Sequence, residues 1–127
     1  MGNEKTKGMI EAEICEAMIR FEKEYMGRGP AETRAYIIDD MIIVRLKGIL
    51  TRAEEQLTKN DEGHSLIKQV RSRLLENAKP LLEAIIFDIC GLKVRNLHTD
   101  LSTGNNERIV IFILEQNFED KKKKSQL

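Results

Sequence analysis

The chain has 127 residues, of which 41% are hydrophobic and 33% charged, with 21 basic and 21 acidic side chains. This length and composition indicate one soluble globular domain with a modest core. The formal net charge of zero argues against a general attraction to nucleic acid or acidic membranes, and no apolar run approaches the roughly 20 residues that span a bilayer.

The first predicted element is an amphipathic helix over residues 4–26, which ends at Gly27 because Pro30 cannot continue it. Its apolar residues recur every three or four positions, which is the spacing of one helix face. They are Ile10, Ile14, Ala17, Met18, Phe21 and Tyr25.

Two strands are predicted next, over residues 33–39 and 41–47. The Asp39–Asp40 pair between them permits a tight hairpin turn. In the second strand, one face is apolar and the other begins apolar and ends with Arg45 and Lys47.

Two helices follow this hairpin. Thr51 and a glutamate three or four residues later form a capping box that starts a short helix, and a longer helix is predicted over residues 62–90. Because proline lacks a backbone N–H and clashes with the preceding turn, Pro80 predicts a kink or break near residues 77–80. The stripe expected to face the core comprises Leu66, Ile67, Val70, Leu74, Leu81, Leu82, Ile85 and Ile89.

The last two predicted strands cover residues 92–100 and 107–115, joined by a loop rich in Gly and Asn, residues that accept positive φ. The segment "IVIFIL" at 109–114 is apolar at every position. A strand with two apolar faces is buried on both, whereas helices on one side cover only one. A second copy of the chain is the economical cover, so we expect a homodimer.

The element order is therefore α-β-β-α-α-β-β, which predicts an α+β fold. Two β-hairpins form a four-stranded, mainly antiparallel sheet with helices packed on one face. Residues 1–118 form the single domain, and residues 119–127 form a charged, disordered tail.

Cysteine use and the N-terminus indicate a cytoplasmic protein. Cys15 and Cys90 are too few for a disulfide framework, and each lies in an apolar helical stretch where a thiol packs as a small hydrophobe. The first 15 residues are too charged for the core of a secretory signal.

Arg28 in "GRGP" is the first candidate binding residue. The flanking glycines allow backbone N–H groups to approach an oxyanion, and a guanidinium binds one through two hydrogen bonds. The alternative is a helix C-cap and rigid turn with Arg28 in water, which glycine and proline alone explain.

A polar patch at one end of the sheet is the second candidate site. It contains Arg34, Arg45, Lys47, His98 and Asp100. An aspartate near a histidine sets its tautomer for proton transfer, so the patch is also the candidate for a catalytic site. Cross-strand ion pairing on a solvated rim explains the same residues without a function.

No metal or cofactor is expected. The two histidines and two cysteines lack metal-ligand spacing, and adjacent Asp39 and Asp40 point in opposite directions. Nucleotide-binding glycine motifs are absent. The lysine run at 121–124 offers contact with RNA or anionic lipid, but such a run is also a solubilising tail, and aromatic residues for base stacking are scarce. We expect no specific nucleic acid.

Four segments resemble the MpsC-like family of small bacterial proteins, formerly a domain of unknown function. They are "GRGP" at 27–30, "YIIDDMIIVRLKGILTRAE" at 36–54, "GLKVRNLHTDLST" at 91–103 and "ERIVIFIL" at 107–114. The chain departs from the family pattern in "TGNNER", where two asparagines are inserted. Family members accompany a membrane system linked to bicarbonate or cation transport and membrane potential, and no catalytic residues come with the family.

The resemblance implies a non-catalytic cytosolic binding or accessory protein that regulates such a transport system and has a membrane-protein partner. In this interpretation Arg28, Arg34 and Arg45 sense an anion or dock an acidic surface. Two alternatives remain: a small enzyme with a polar site around His98, Asp100 and Arg45, and a nucleic-acid binder that uses the lysine-rich tail.

Overall fold

The computed structural model describes residues 5–119, and within them the predicted order α-β-β-α-α-β-β is confirmed. The elements are α1 (Lys7–Met26), β1 (Glu32–Ile38), β2 (Met41–Lys47), α2 (Arg52–Leu57), α3 (Asp61–Cys90), β3 (Val94–Ser102) and β4 (Glu107–Leu114). Apart from residue 119, the tail predicted over 119–127, with its lysine run, lies outside the described residues.

Helix α1 begins and ends at residues that favour those positions. The Thr6 hydroxyl accepts a hydrogen bond from the backbone N–H three residues on, and Gly27 closes the helix at φ 89°. Tyr25, predicted on the buried face, is instead half exposed and stacks on Phe21. The buried residues are Ile10, Ile14, Met18, Phe21, Glu22 and Met26.

Strands β1 and β2 form the predicted hairpin. They pair antiparallel from Glu32 opposite Lys47 to Ile38 opposite Met41. Asp39, the first of the two turn residues, has φ 55°, a left-handed conformation that aspartate tolerates better than most residues.

Both helices that follow begin at side-chain caps. The capping box predicted for α2 is confirmed: Thr51 Oγ1 accepts from the Glu54 N–H, and Glu54 Oε1 accepts from the Thr51 N–H. The side chain of Asn60 accepts from the Gly63 N–H at 2.8 Å and starts α3.

The buried side of α3 differs from the predicted stripe. Leu66, Val70 and Leu74 are 49%, 46% and 40% exposed, although Ile67 and Leu82 are buried as predicted. The core contacts the neighbouring line of residues, about 100° further round the helix. That line comprises Gly63, Ile67, Arg71, Leu75, Ala78, Leu82, Ile86 and Cys90. Ile85 and Ile89 of the predicted stripe are partly buried against the core. The prediction was wrong for Leu66, Val70, Leu74 and Leu81, because the apolar arc of α3 is wider than its contact with the core and the buried line includes an arginine.

Helix α3 runs through Pro80 as one element from Asp61 to Cys90, so of the two predicted alternatives, a kink or a break, the break is absent. We expect Pro80→Ala to raise the free energy of unfolding by about 2 kcal/mol. The helical penalty of proline is about 3 kcal/mol, and roughly 1 kcal/mol of unfolded-state entropy offsets its removal. Urea denaturation followed by circular dichroism measures the change.

A matched control for this prediction is Ala84→Pro, also at an exposed position of α3. This substitution should lower the free energy of unfolding by about 3 kcal/mol. A Pro80→Ala variant no more stable than the parent chain would show that the proline fits α3 without cost.

The second hairpin, β3–β4, inserts its later strand into the middle of the sheet. The strand order is β1-β2-β4-β3, and each neighbouring pair is antiparallel. In the loop between β3 and β4, Asn106 has φ 52°. Its side-chain oxygen accepts from the Ile49 and Leu50 N–H groups at 2.9 and 2.8 Å. Asn106, one of the two asparagines in "TGNNER", therefore ties this hairpin to the segment that follows β2.

The helices and the sheet form two layers. Val110, Phe112 and Leu114 of β4 are fully buried in the core shared with α1 and α3. Alternate β4 residues are partly exposed on the opposite side. The α+β class and the antiparallel sheet of two hairpins are confirmed. Among the described residues, none of the helices combines the length and hydropathy needed to cross a bilayer.

Candidate functional site

The candidate site is the sheet surface that points away from the helices, which we call the outer face. Side chains alternate between the two faces of a strand, and the burial of each strand shows which alternate set belongs to the core. The outer face comprises Glu32, Arg34, Tyr36 and Ile38 on β1; Met41, Ile43, Arg45 and Lys47 on β2; Glu107, Ile109, Ile111 and Ile113 on β4; and Asn96, His98, Asp100 and Ser102 on β3.

One half of the outer face is apolar. Tyr36 and Ile38 on the β1 edge are 44% and 47% exposed, and the isoleucines of β2 and β4 beside them are partly exposed. Strand register brings these side chains together in two adjacent rows across β1, β2 and β4. We call this half the apolar zone: Tyr36, Ile38, Met41, Ile43, Ile111 and Ile113.

The other half is charged, and we call Glu32, Arg34, Arg45, Lys47, Glu107 and Asp100 the charged zone. Arg34 lies directly opposite Arg45 on the neighbouring strand, a placement that is unfavourable without compensating carboxylates. Glu32 supplies one, at 3.7 Å from Arg34 and 3.4 Å from Lys47.

Glu107 supplies the second carboxylate through a hydrogen bond with Arg45. This bond raises the pKa of Arg45 and lowers the pKa of Glu107, so both groups are ionised at neutral pH. A cavity of about 230 Å³ lies over this region, lined by Glu32, Arg34, Tyr36, Arg45 and Lys47. The cavity presents three cationic side chains and one carboxylate to a ligand or a partner surface.

His98 and Asp100 occupy the β3 edge of the outer face, two residues apart on one strand. His98 Nε2 lies 3.3 Å from the side-chain nitrogen of Asn96. The Asp100 side chain is 79% exposed, and its carboxylate lies 3.5 Å from Nζ of Lys68 on α3. The aspartate that the sequence suggests as the orienting partner of His98 is thus paired with a lysine.

Arg28 lies apart from these residues, in the turn between α1 and β1. Its guanidinium donates a 2.9 Å hydrogen bond to the Leu50 carbonyl, and Gly27 before it is in the left-handed conformation of a C-cap. Of the six predicted site residues, Arg34, Arg45, Lys47, His98 and Asp100 share the outer face, and Arg28 connects two loops.

The sequence interpretation missed a buried ionic cluster on the helix side of the sheet. Arg71 of α3 is 1% exposed and donates two hydrogen bonds, of 2.6 and 2.8 Å, to the carboxylate of Glu54 on α2. It also donates to the Ile49 carbonyl at 3.0 Å. The fully buried carboxylate of Glu22 on α1 lies 3.6 Å from Arg71. One guanidinium therefore links the three helices.

Arg108 of β4 is the second arginine of this buried region. It is 1% exposed and donates a 2.9 Å hydrogen bond to the Thr99 hydroxyl, while its Nε and second terminal nitrogen have no hydrogen-bond partner among residues 5–119. Burial raises the pKa of Glu22, and the positive charges of Arg71 and Arg108 oppose this effect.

A pattern in the sequence identifies both arginines as inward-facing. Arg108 has the same parity as Val110 and Phe112 on β4, and Arg71 lies four residues after Ile67 on α3. The sequence did not show which of the two faces of β4, or which of the two apolar lines of α3, packs against the core. Elsewhere, the described residues contain no group of three or more His, Cys, Asp or Glu side chains arranged to hold a metal ion.

Comparison with known proteins finds similarity over most of the chain. The family model described as "Na+-translocating membrane potential-generating system (MpsC)" matches residues 6–116. Two Bacillus subtilis (strain 168) proteins are similar. "Uncharacterized protein YbcI" is 47% identical over 110 residues, which cover 87% of this chain and 89% of that protein. "Uncharacterized protein YrhF" is 22% identical over 112 residues, which cover 87% and 91%. No solved structure matches. Since the family model matches most of its length, the chain belongs to the MpsC family.

Proposed function

We propose that the chain is a non-catalytic accessory protein of an ion-translocating membrane system, and that it acts as a homodimer in the cytoplasm. The observation that carries this proposal is the outer face, which exposes a continuous apolar zone beside a charged zone. Apolar surface of this kind, rimmed by polar residues, marks a site of protein interaction. The family description, a Na+-translocating, membrane potential-generating system, supplies the kind of system.

A binding role also fits the contacts of the polar residues. Arg34, Arg45 and Lys47 form ion pairs of the type that position and select a partner surface. We propose that they meet an acidic surface or a small anion. The enzyme hypothesis finds no support in the contacts of His98, whose ring lies against Asn96. The hypothesis of nucleic-acid binding through residues 121–124 stays a prediction.

The proposal predicts an effect on membrane potential in a bacterium from which the chromosomal copy has been deleted. Deletion should remove most of the sodium-dependent component of the potential, measured with a voltage-sensitive dye, and the wild-type chain should restore it. A Tyr36→Glu/Ile38→Glu variant should fail to restore it, because both side chains are about half exposed in the apolar zone and new charges there oppose docking.

Met9→Glu is the matched control, since Met9 is 54% exposed and lies on α1, away from the outer face. This variant should restore the potential fully. A deletion strain with an unchanged potential would contradict the accessory role. Full restoration by Tyr36→Glu/Ile38→Glu would show that the outer face is not the working surface.

A further inference from the structure

We infer that the outer face is complementary to itself, and that a second copy of the chain covers it in one particular orientation. The inference rests on the homodimer proposed above and adds which residues meet. It follows from the positions of charges and apolar side chains in the sheet, which has four strands and four rows of outward side chains.

The rows are set by strand register. Tyr36, Ile43, Ile111 and His98 form one row, and Ile38, Met41, Ile113 and Asn96 form the row beside it. On the other side lie Arg34, Arg45, Ile109 and Asp100, followed by Glu32, Lys47, Glu107 and Ser102. Each row therefore runs from β1, through β2 and β4, to β3.

Two sheets that pack face to face keep their strands within about 30° of each other and lie about 10 Å apart. A two-fold axis between the outer faces and parallel to the strands keeps every row at its own level. It exchanges β1 with β3 and β2 with β4. A symmetric interface then requires that the two ends of each row complement each other.

The charged pairs of the charged rows satisfy this requirement. One charged residue, Arg45, meets an apolar one, Ile109 of the second copy, and its guanidinium is hydrogen-bonded to Glu107 of its own chain. Arg34 at the β1 edge meets Asp100 of the second copy at the β3 edge, and the same pair forms again across the axis. Lys47 on β2 meets Glu107 of the second copy on β4. The Arg34 and Asp100 side chains are 64% and 79% exposed, and their ion pairs within the chain, with Glu32 at 3.7 Å and Lys68 at 3.5 Å, leave room for a further pair across the interface. Because arginine is long, its side chain spans the offset that sheet twist produces at the edges.

The apolar rows satisfy it as well. Ile43 meets Ile111 of the second copy, and Met41 meets Ile113, so the central residues of the apolar zones bury each other. At the β1 edge, Tyr36 and Ile38 meet His98 and Asn96 of the second copy. An axis perpendicular to the strands would instead place Ile43 on Arg45 and Met41 on Lys47 of the second copy. That orientation would bury four charged residues of each copy (Glu32, Lys47, Glu107 and Arg45) against apolar ones at a large desolvation cost, whereas the axis parallel to the strands does so for Arg45 alone. The side-chain pattern thus selects the axis parallel to the strands.

The size of the outer face predicts the strength of this dimer. Strands about 4.8 Å apart, with about 3.3 Å per residue, give a footprint of roughly 400 Å² per copy. Stable interfaces bury about 800 Å² per partner. The dimer should therefore be weak and concentration-dependent, and sedimentation velocity should show the monomer and the dimer exchanging between low micromolar and submillimolar concentrations.

A charge exchange within the full chain tests the inference. Arg34→Asp places two aspartates opposite each other at each edge, and Asp100→Arg places two arginines there. Each single variant should weaken self-association at least about tenfold, since like charges that face each other across an interface are strongly disfavoured. The double variant Arg34→Asp/Asp100→Arg should return to the wild-type dissociation constant, because both pairs are restored with reversed sign.

An equimolar mixture of the two single variants provides a second readout. Their edges complement each other, so the mixture should sediment as a heterodimer at concentrations where each variant alone is monomeric. Arg73→Asp, at an exposed position of α3 away from the sheet, is the control and should dimerise like wild type. Circular dichroism of each variant confirms that the chain is folded.

The outcomes separate the proposals. Unchanged dimerisation of both single variants would overturn this orientation and leave the homodimer standing. A wild-type chain that is monomeric at every concentration would overturn the homodimer and this inference together. Anion-dependent self-association that is lost in both the double variant and the mixture would show that an anion, rather than Asp100, pairs with Arg34. Membrane potential in the deletion strain tests the accessory role independently.

Discussion

Replacement of Arg71 by methionine is expected to lower the free energy of unfolding by about 3–5 kcal/mol. Methionine fills much of the same volume, so the loss comes mainly from the unpaired carboxylates. Arg71 is the guanidinium that hydrogen-bonds Glu54 and lies beside the buried Glu22. Without it, Glu22 loses its nearest positive charge in a site that is fully buried. Urea denaturation measures the loss, which is a large fraction of the stability of a small domain.

The double variant Arg71→Met/Glu22→Gln is the decisive companion. Glutamine has nearly the shape of Glu22 but carries no charge, so the double variant should recover much of the loss. Equal losses in the single and double variants would show that packing of Arg71, rather than its charge, holds the helices together.

The pH dependence of the same pair has a definite sign. Burial raises the pKa of Glu22 above its ordinary value of 4.5. A raised pKa in the folded state gives stability that is fully present below the unfolded pKa and is lost as the pH rises through the folded pKa. Removing Arg71 raises the pKa of Glu22 further. The stability gap between Arg71→Met and the double variant should therefore widen from pH 5 to pH 8, and a constant gap would contradict the assignment.

Gly63→Ala is expected to cost roughly 3 kcal/mol or more, at the upper end of the range for overpacking. An added Cβ would lie 1.5 Å from the carbonyl oxygen of Leu57. The obstacle is backbone at the end of α2, which cannot move aside as a flexible side chain does. The α2–α3 connection must shift, together with the Asn60 cap that bonds the Gly63 N–H. Thermal and urea denaturation both measure the effect.

Gly8→Ala is the matched control in another helix, because nothing lies within 4 Å of the Cβ it would add. It should be neutral or add up to about 1 kcal/mol, the gain from replacing glycine by alanine in a helix. Equal stabilities of Gly63→Ala and Gly8→Ala would contradict the close contact between Gly63 and the Leu57 carbonyl.

Local structure was predictable because it depends on residues near each other in the sequence. The capping box of Thr51 and Glu54, the Asp39–Asp40 turn and the glycine at the end of α1 each place a specific hydrogen bond or dihedral angle within a few residues. Period-two alternation likewise predicted β2, and a continuous apolar run between turn residues predicted β4. These features led to the element order and the α+β class.

Which face of a helix or strand packs against the core was not predictable from local sequence. On α3, two neighbouring lines of residues are apolar enough to face the core, and the line that does so includes Arg71. An arginine is accepted there because Glu54 and Glu22, distant in sequence, come within reach only after α1 and α2 have packed. Arg108 of β4 was missed for the same reason.

By itself, the sequence determined the helices, the two hairpins, the antiparallel sheet and the family, since these depend on periodicity, caps, turns and local motifs. Only the tertiary structure decided that β4 lies at the centre of the sheet, next to β2. That pairing places Arg34 and Asp100 at opposite ends of one row and sets an apolar zone beside them. The physical reason is that strand order and register arise from contacts between residues far apart in the chain, which no local pattern specifies.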